Sequence, residues 1–427
     1  MSKTIAAVAT GNSVSGIGVI RISGDNAIEI AEKVFKAMDS TPLSSLKGYT
    51  AKFGNVYSKG EKFDNAIALV FRAPKSYTGE DVVELSVHGG IFIVEKTLEA
   101  VFAAGASPAE AGEFTKRAFL NGKMDLTQAE AVASLISANG QESAKASFNL
   151  LQGSLSDKIS NILDKIVSLS ASMAAWVDYP DEEIPELDES TLKSTLTSAL
   201  NELKNLLDNY ESGMIMTQGV NTVIAGRPNA GKSTLMNMLS GKEKSIVTHI
   251  EGTTRDIVEN SVRLGTLVLH LSDTAGLRES DDVVEAIGIK KALERIDTSS
   301  LVLAVFDSSR ELDGDDKMLI DACKGKKAVA VINKTDLSPA IDTEEIENNF
   351  ESSVYISAKN NTGLKELENA VKNILGVEEF DSSAPLIANQ RQKLCIQKAY
   401  ENISEALSAT ELGLTYDAVN VMIDSAV

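Results

Sequence analysis

The sequence predicts a multidomain protein of mixed α/β and α+β class. A doubly wound α/β domain is inserted into a helical domain, and an α+β module precedes both. Three observations lead there. GRPNAGKS at 226–233 fits a phosphate-loop pattern and stands between a β-like run and a helical run. From 216 to about 376, strand-like and helical runs alternate, the rhythm of a sheet covered on both faces. Helix-periodic segments lie on either side of that region.

The parts follow in order. Residues 1–122 alternate β-like runs (GVIRIS, NAIALVF, VVELSV) with helical ones (NAIEIAEKVFKAM, IVEKTLEAVFAAG), the mark of an α+β module. Residues 123–215 are almost wholly helix-periodic, as in LTQAEAVASLISA, SLSDKISNILDKIVSLSASMAAW and ESTLKSTLTSALNELKNLLDNYE. The acidic DYPDEEIPELDE, with Pro180 and Pro185, breaks them as a connector. In 216–376 the strand-like runs are NTVIAG, LVLHLSD, SLVLAVFD, KAVAVINK and VYISAK. Residues 377–427 return to helix with ANQRQKLCIQKAYENISEAL, so the helical domain lies in two halves around the insert.

Composition narrows the function classes. With 427 residues and 43% hydrophobic content, the chain has material for roughly two to three cores. No apolar run reaches the roughly 18 residues of a membrane span, so no membrane partner is expected. The N-terminal MSKTIAAVAT does not read as a signal peptide. Cys323 and Cys395 form neither a disulfide framework nor a metal-ligand spacing, which points to the reducing cytoplasm. The net charge of −20 makes a poor generic polyanion binder, because phosphates are met by Lys and Arg. A nucleic acid substrate would need a local basic patch or a partner that carries it. Solubility alone is the plainer account of the acidity.

The motifs define a nucleotide site. In the phosphate loop, backbone N–H groups of Asn229, Ala230 and Gly231 face the phosphates at a helix N-terminus, and Thr234 follows in the first turn. Lys232 reaches the β and γ oxygens, and the Ser233 hydroxyl is a Mg²⁺ ligand. DTAG, comprising Asp273, Thr274, Ala275 and Gly276, ends the strand LVLHLS. There Asp273 would hold Mg²⁺ through water and the Gly276 N–H would bind the γ-phosphate. NKTD supplies Asn333, Lys334 and Asp336; Asp336 accepts from the N1 and N2 hydrogens of guanine, which adenine cannot match. SAK, comprising Ser357, Ala358 and Lys359, offers the Ala358 N–H to guanine O6. The expected ligands are GTP and GDP. Between phosphate loop and DTAG, IVTHIEGTTRD holds Thr254 as the switch threonine on Mg²⁺, with Thr253 beside it. His249 in that stretch reads as solvent-facing. After DTAG comes Leu277, where many such enzymes place the glutamine that orients water.

GRPNAGKS, GTTRD, DTAGLRE and NKTD follow an N-terminal region carrying VIRISG, SYTGEDVVELSVHGG and FLNGKMDLTQAEA. In this combination the chain resembles the MnmE (TrmE) family of tRNA-modifying GTPases over nearly its whole length. The resemblance implies what replaces the glutamine. K⁺ would be held by Asn229 and by switch oxygens at Thr248, Ile250 and Thr253, with Glu285 orienting water and Lys232 and Gly276 completing the catalytic set. A cation beside the phosphates can stabilise developing charge, and a carboxylate can orient water. From the residues alone, Asn229 also reads as a turn former and Glu285 as a solvated helix residue.

The resemblance further implies dimerisation of the GTPase domains across the nucleotide and a constitutive homodimer through the N-terminal module. That module would bind 5-formyltetrahydrofolate or a related one-carbon folate through Arg21, Glu84 and Lys123. A carboxylate suits a pterin's amidine-like edge, and Arg or Lys suits a glutamyl tail. Read without it, Arg21 and Glu84 are strand-surface charges and His88 packs at a turn. The implied partner is the FAD-dependent MnmG (GidA), FAD belonging to the partner. The implied product is an aminomethyl or carboxymethylaminomethyl group at C5 of the wobble uridine of certain tRNAs. The family ends on a Cys-x-Gly-Lys segment that reaches the folate site, whereas here NVMIDSAV comes last and no cysteine follows Cys395. Hydrolysis of GTP is expected to be independent of that segment and modification to depend on it. Two other classes are distinguishable: an rRNA-binding assembly GTPase, which a basic tail would favour, and a nucleotide-gated scaffold with negligible turnover.

Overall fold

The computed structural model describes residues 3–11, 13–138, 140–178, 188–241, 261–271, 295–378 and 380–427. They form two compact units that divide between residues 132 and 133.

In the first unit, period-two alternation builds a sheet. β1 (Ile5–Val8), β2 (Ile17–Ser23), β3 (Phe35–Ala37), β4 (Thr50–Ser58), β5 (Glu61–Phe71), β6 (Val82–His88) and β7 (Ser107–Pro108) join in the order β3-β4-β5-β6-β2-β1-β7. Alternate residues Ile20 and Ile22 of β2, Ala68 and Val70 of β5, and Val83 and Leu85 of β6 enter one core with α1 (Ala27–Val34) and α2 (Ile91–Ala103). Arg21 and Glu84, opposite each other in the ladder, therefore lie on the other face. α3 (Glu113–Leu120) follows, and α4 (Leu126–Ile136) contains the division between the units.

NAIEIAEKVFKAM reads as one helix, but the helix ends at Val34 and Phe35–Ala37 becomes the edge strand on β4. Tertiary pairing overrides local period here. Phe35 is 2% exposed in its place, and Gly54 permits the approach. A Cβ at Gly54 would lie 2.2 Å from the Lys36 carbonyl oxygen.

The second unit begins with α5 (Gln141–Leu151), α6 (Ser154–Asp178), α7 (Glu189–Asp208) and α8 (Tyr210–Gln218). The chain then enters an α/β region: β8 (Val220–Ala225), α9 (Lys232–Ser240), β9 (Ser261–Leu264), β10 (Leu267–Leu271), β11 (Leu301–Asp307), α10 (Gly314–Cys323), β12 (Ala328–Asn333), α11 (Thr343–Glu347), β13 (Ser352–Tyr355) and α12 (Leu364–Leu375). Its sheet order is β13-β12-β11-β8-β10-β9, parallel except for β9. β11 and β12 are buried along their whole length, as a central parallel sheet requires.

α13 (Gln390–Glu411) and α14 (Tyr416–Ala426) then return to the helices laid down first, α13 packing on α7 and α14 on α6. Buried stripes at helical spacing make the bundle: Leu155, Ile162, Ile166, Leu169 and Met173 on α6, and Leu192, Leu196, Ala199, Leu203 and Leu206 on α7. Where the α/β region begins and ends, Gln218 Nε2 donates to the Ala388 carbonyl oxygen at 3.1 Å. No described helix is long and apolar enough to cross a membrane.

Candidate nucleotide site

The site forms at the carboxyl ends of β8, β11 and β12, where a doubly wound sheet places its ligand loops. After Ala225 the chain turns through 226–231 into α9. Asn229 is exposed and takes φ 61°, in the left-handed region that few side chains adopt. Gly231 has φ 98°, and a Cβ there would lie 2.1 Å from Asn333 Nδ2. Only glycine satisfies both conditions. Lys232 Nζ spans the loop, donating to the carbonyl oxygens of Gly226 at 2.8 Å and Arg227 at 2.7 Å. Ser233 and Thr234 are exposed in the first turn of α9, while Ala230 is fully buried.

A single side chain joins this loop to the base-side loops. Asn333, 2% exposed at the end of β12, donates from Nδ2 to the Ala230 carbonyl oxygen at 3.0 Å. Its Oδ1 accepts the Ala358 N–H at 3.0 Å. The Ala358 amide is thus engaged with Asn333 here. Asp336 is exposed and accepts from the buried Ser357 hydroxyl at 2.6 Å. That bond, and the charges of Lys359 and Lys334, hold its carboxyl below the usual carboxylate range. Lys359 itself is exposed. The arrangement keeps an ionised acceptor facing outward beside the phosphate loop.

Two groups of residues that sequence reading did not single out support this site. Asp307, at the end of β11, accepts Lys334 Nζ at 2.6 Å and is also bonded by the Ser309 amide and hydroxyl. Burial alone would raise its carboxyl, but the Lys334 and Ser309 donors hold it below its ordinary value. A lone acid closing the apolar strand run SLVLAVF was the available signal. Arg227, 12% exposed, reaches Asp313 Oδ2 at 2.5 Å and Asp316 Oδ2 at 3.3 Å at the start of α10. No local pattern links these residues.

Thr248, Ile250, Thr253, Thr254, Asp273, Thr274, Ala275, Gly276, Leu277 and Glu285 lie outside the described residues, as does His249. Among the described residues no cluster of three or more His, Cys, Asp or Glu side chains is set to hold a metal ion.

In the first unit, Arg21 pairs with Glu84 at 2.8 Å and lies over the rings of Tyr77 and Phe114, at 5.3 and 5.5 Å from their centroids. Lys123 donates to the Pro74 carbonyl oxygen at 3.0 Å, on the loop that also carries Tyr77. His88 is not packed at its turn. Its side chain is 72% exposed, and its Nδ1 meets Asp64 Oδ1 at 2.6 Å.

Fold and site together define a P-loop protein of the GTPase class. The family profile described as "GTP-binding protein TrmE N-terminus" matches residues 4–123, and that of the "MnmE helical domain" matches 126–427. The tRNA modification GTPase MnmE of Clostridioides difficile (strain 630) is 39% identical over 423 residues, covering 98% of this chain and 92% of that protein. The tRNA modification GTPase MnmE of Carboxydothermus hydrogenoformans is 39% identical over 432 residues, covering 100% and 94%. Among solved structures, the G domain of the T. maritima FeoB iron transporter aligns with 26% identity over 36% of this chain and 98% of its own, at a TM-score of 0.27. The chain belongs to the MnmE family and is a GTP-hydrolysing enzyme of tRNA modification.

Proposed function

We propose that this GTPase is activated by K⁺ when two of its GTPase domains meet across the nucleotide. It acts with the FAD-dependent MnmG (GidA) to install an aminomethyl or carboxymethylaminomethyl group at C5 of the wobble uridine of certain tRNAs. The observation that most supports the reading is Asn333, whose one buried amide ties the phosphate loop to the loop beside Asp336. That tie holds the two loops together, and the ionised Asp336 carboxylate beside the second of them supports guanine as the base. Family membership over 98% of the chain supports the tRNA pathway.

Ser233, in the first turn of α9, presents a hydroxyl suited to Mg²⁺. Asn229 presents a neutral side-chain oxygen suited to a larger, less demanding cation such as K⁺. When bound, the two cations supply positive charge beside the β and γ oxygens. Thr254 for Mg²⁺, and Thr248, Ile250 and Thr253 for K⁺, complete the sets in this reading. Lys232 binds the phosphates, Glu285 orients water, and the Gly276 amide faces the γ-phosphate. With Leu277 unable to orient water, the chain depends on that substitute machinery.

The N-terminal unit serves, in the same reading, as folate site and constitutive dimer contact. A guanidinium and a carboxylate beside two aromatic rings suit a flat pterin with an anionic tail. Phe53 and Ile67, cross-strand neighbours, are 53% and 48% exposed on the outer sheet face, apolar surface that a second copy would cover.

The test is multiple-turnover phosphate release in KCl and in NaCl at equal ionic strength, with sedimentation of the GTP-analogue complex in each. At least about tenfold faster turnover in K⁺ is expected, together with a larger assembly in that salt. Equal rates in the two salts remove the potassium account. Mass spectrometry of tRNA nucleosides after incubation with MnmG and the folate tests the modification step.

A further inference from the structure

We propose that the capping box of α10 doubles as a clamp that positions the phosphate loop through Arg227. The inference rests on guanine nucleotide binding at this loop and adds a positioning residue to it. Asp313 is the N-cap of α10: its Oδ1 accepts the Asp315 and Asp316 amides, at 3.0 and 3.2 Å. Asp316 returns the bond, its Oδ2 accepting the Asp313 amide at 3.2 Å. This pair satisfies orphan donors of the helix start, as such boxes do. Here the remaining oxygen of the cap, Asp313 Oδ2, and the same Oδ2 of Asp316 both face Arg227 Nη1. Arg227 and Asp316 are 12% and 4% exposed, so that arm of the contact is shielded from solvent, while Asp313, at 43%, forms its open side.

What the clamp holds is the backbone of Arg227. That residue's carbonyl oxygen is one of the two seats of Lys232 Nζ. Pro228 follows, with φ fixed by its ring, and then Asn229 in its left-handed conformation. Fixing the guanidinium thus fixes the first half of the loop from outside, while Asn333 fixes the second half at Ala230. A preformed loop does not have to be ordered when nucleotide binds, and the saving appears in affinity and residence time. Arg227 is turned to α10, so it acts through the loop and is a positioning residue.

The experiment uses the full chain and the fluorescent nucleotide mant-GDP. Arg227→Met removes the clamp. Asp313→Ser with Asp316→Gln converts the box to the Ser-x-x-Gln form, keeping the helix start capped while removing both carboxylates. Combining all three leaves no unpaired charge. The triple variant is expected to melt close to wild type without nucleotide and to release mant-GDP about tenfold faster. Arg227→Lys, which keeps a cation but loses the fork, is expected to recover part of the retention. Release within about twofold of wild type in both Arg227→Met and the triple variant overturns the clamp. So does a release rate that simply tracks melting temperature across the series. A wild-type chain that does not retain the label removes the guanine nucleotide reading, and the clamp with it.

Discussion

Asp336 and Lys334 sit two residues apart, yet separate partners hold them. The Ser357 hydroxyl aims the Asp336 carboxylate, and Asp307 tethers the Lys334 ammonium. Replacing Asp336 by Asn puts an amide donor where guanine presents donors of its own. Affinity for GDP is expected to fall about 100-fold or more, with xanthine nucleotides gaining relative to guanine. Competition against mant-GDP measures both. Asp307→Asn keeps the shape but loses the charge on Lys334, and is expected to weaken GDP by about tenfold, a charge-assisted bond's worth. The two acids differ in legibility. NKTD announces Asp336 by its spacing. Asp307 stands 27 residues before Lys334 and meets it only because β11 and β12 are neighbours. The same holds for Arg227 and Asp316, 89 positions apart.

Helices and strands were readable where period and environment agree. Long apolar stripes fix α6, α7 and α13, and unbroken apolar runs fix β11 and β12. Local period misleads where a neighbour decides, as at β3, which exists because β4 has an edge to fill. ESTLKSTLTSALNELKNLLDNYE likewise reads as one helical stretch, although α7 ends at Asp208 and α8 begins at Tyr210. Between α6 and α7, Glu202 accepts from Lys158 at 2.5 Å and Lys165 at 2.8 Å, and these bonds draw its carboxyl down to about 2. A depressed value means that the stabilisation is present above the ordinary Glu range and is lost as pH falls through about 2. Glu202→Gln is therefore expected to cost about 1 kcal/mol at neutral pH, the upper range for partly exposed pairs. The gap from wild type should close on acidification. Trp176, the single tryptophan, lies on α6 with Tyr416 of α14 edge-on at 5.1 Å, so its fluorescence in urea titrations follows the bundle.

For the whole molecule, the inserted region starts and finishes at one spot. Gln218 reaches Ala388 directly, and Tyr210 reaches Gln390 at 3.1 Å. A segment with adjoining ends, whose core is built from its own strands and helices together with Met216 of α8, meets the requirements of an autonomous domain when α8 is kept with it. Residues 210–385, which keep α8 and Met216, are expected to fold when produced alone and to retain mant-GDP; an unfolded product in circular dichroism contradicts this. The α/β region was legible because helical period gives way to strand–helix alternation there. That the later helices rejoin the earlier ones follows from the same pattern, but the pairing of α13 with α7 and α14 with α6 does not, since each helix reads as amphipathic without naming its mate.

That closure has a cost in time. Tyr210 and Gln390 are 180 residues apart in the chain. At about 5–20 residues per second, α6 and α7 leave the ribosome roughly ten seconds or more before α13 exists to cover them. During that interval their leucine stripes face water, while the intervening nucleotide-binding segment has every contact it needs to fold. The nascent protein should therefore present a finished centre on an unfinished base. In this window the stripes that the folded bundle buries are open to chaperones and proteases.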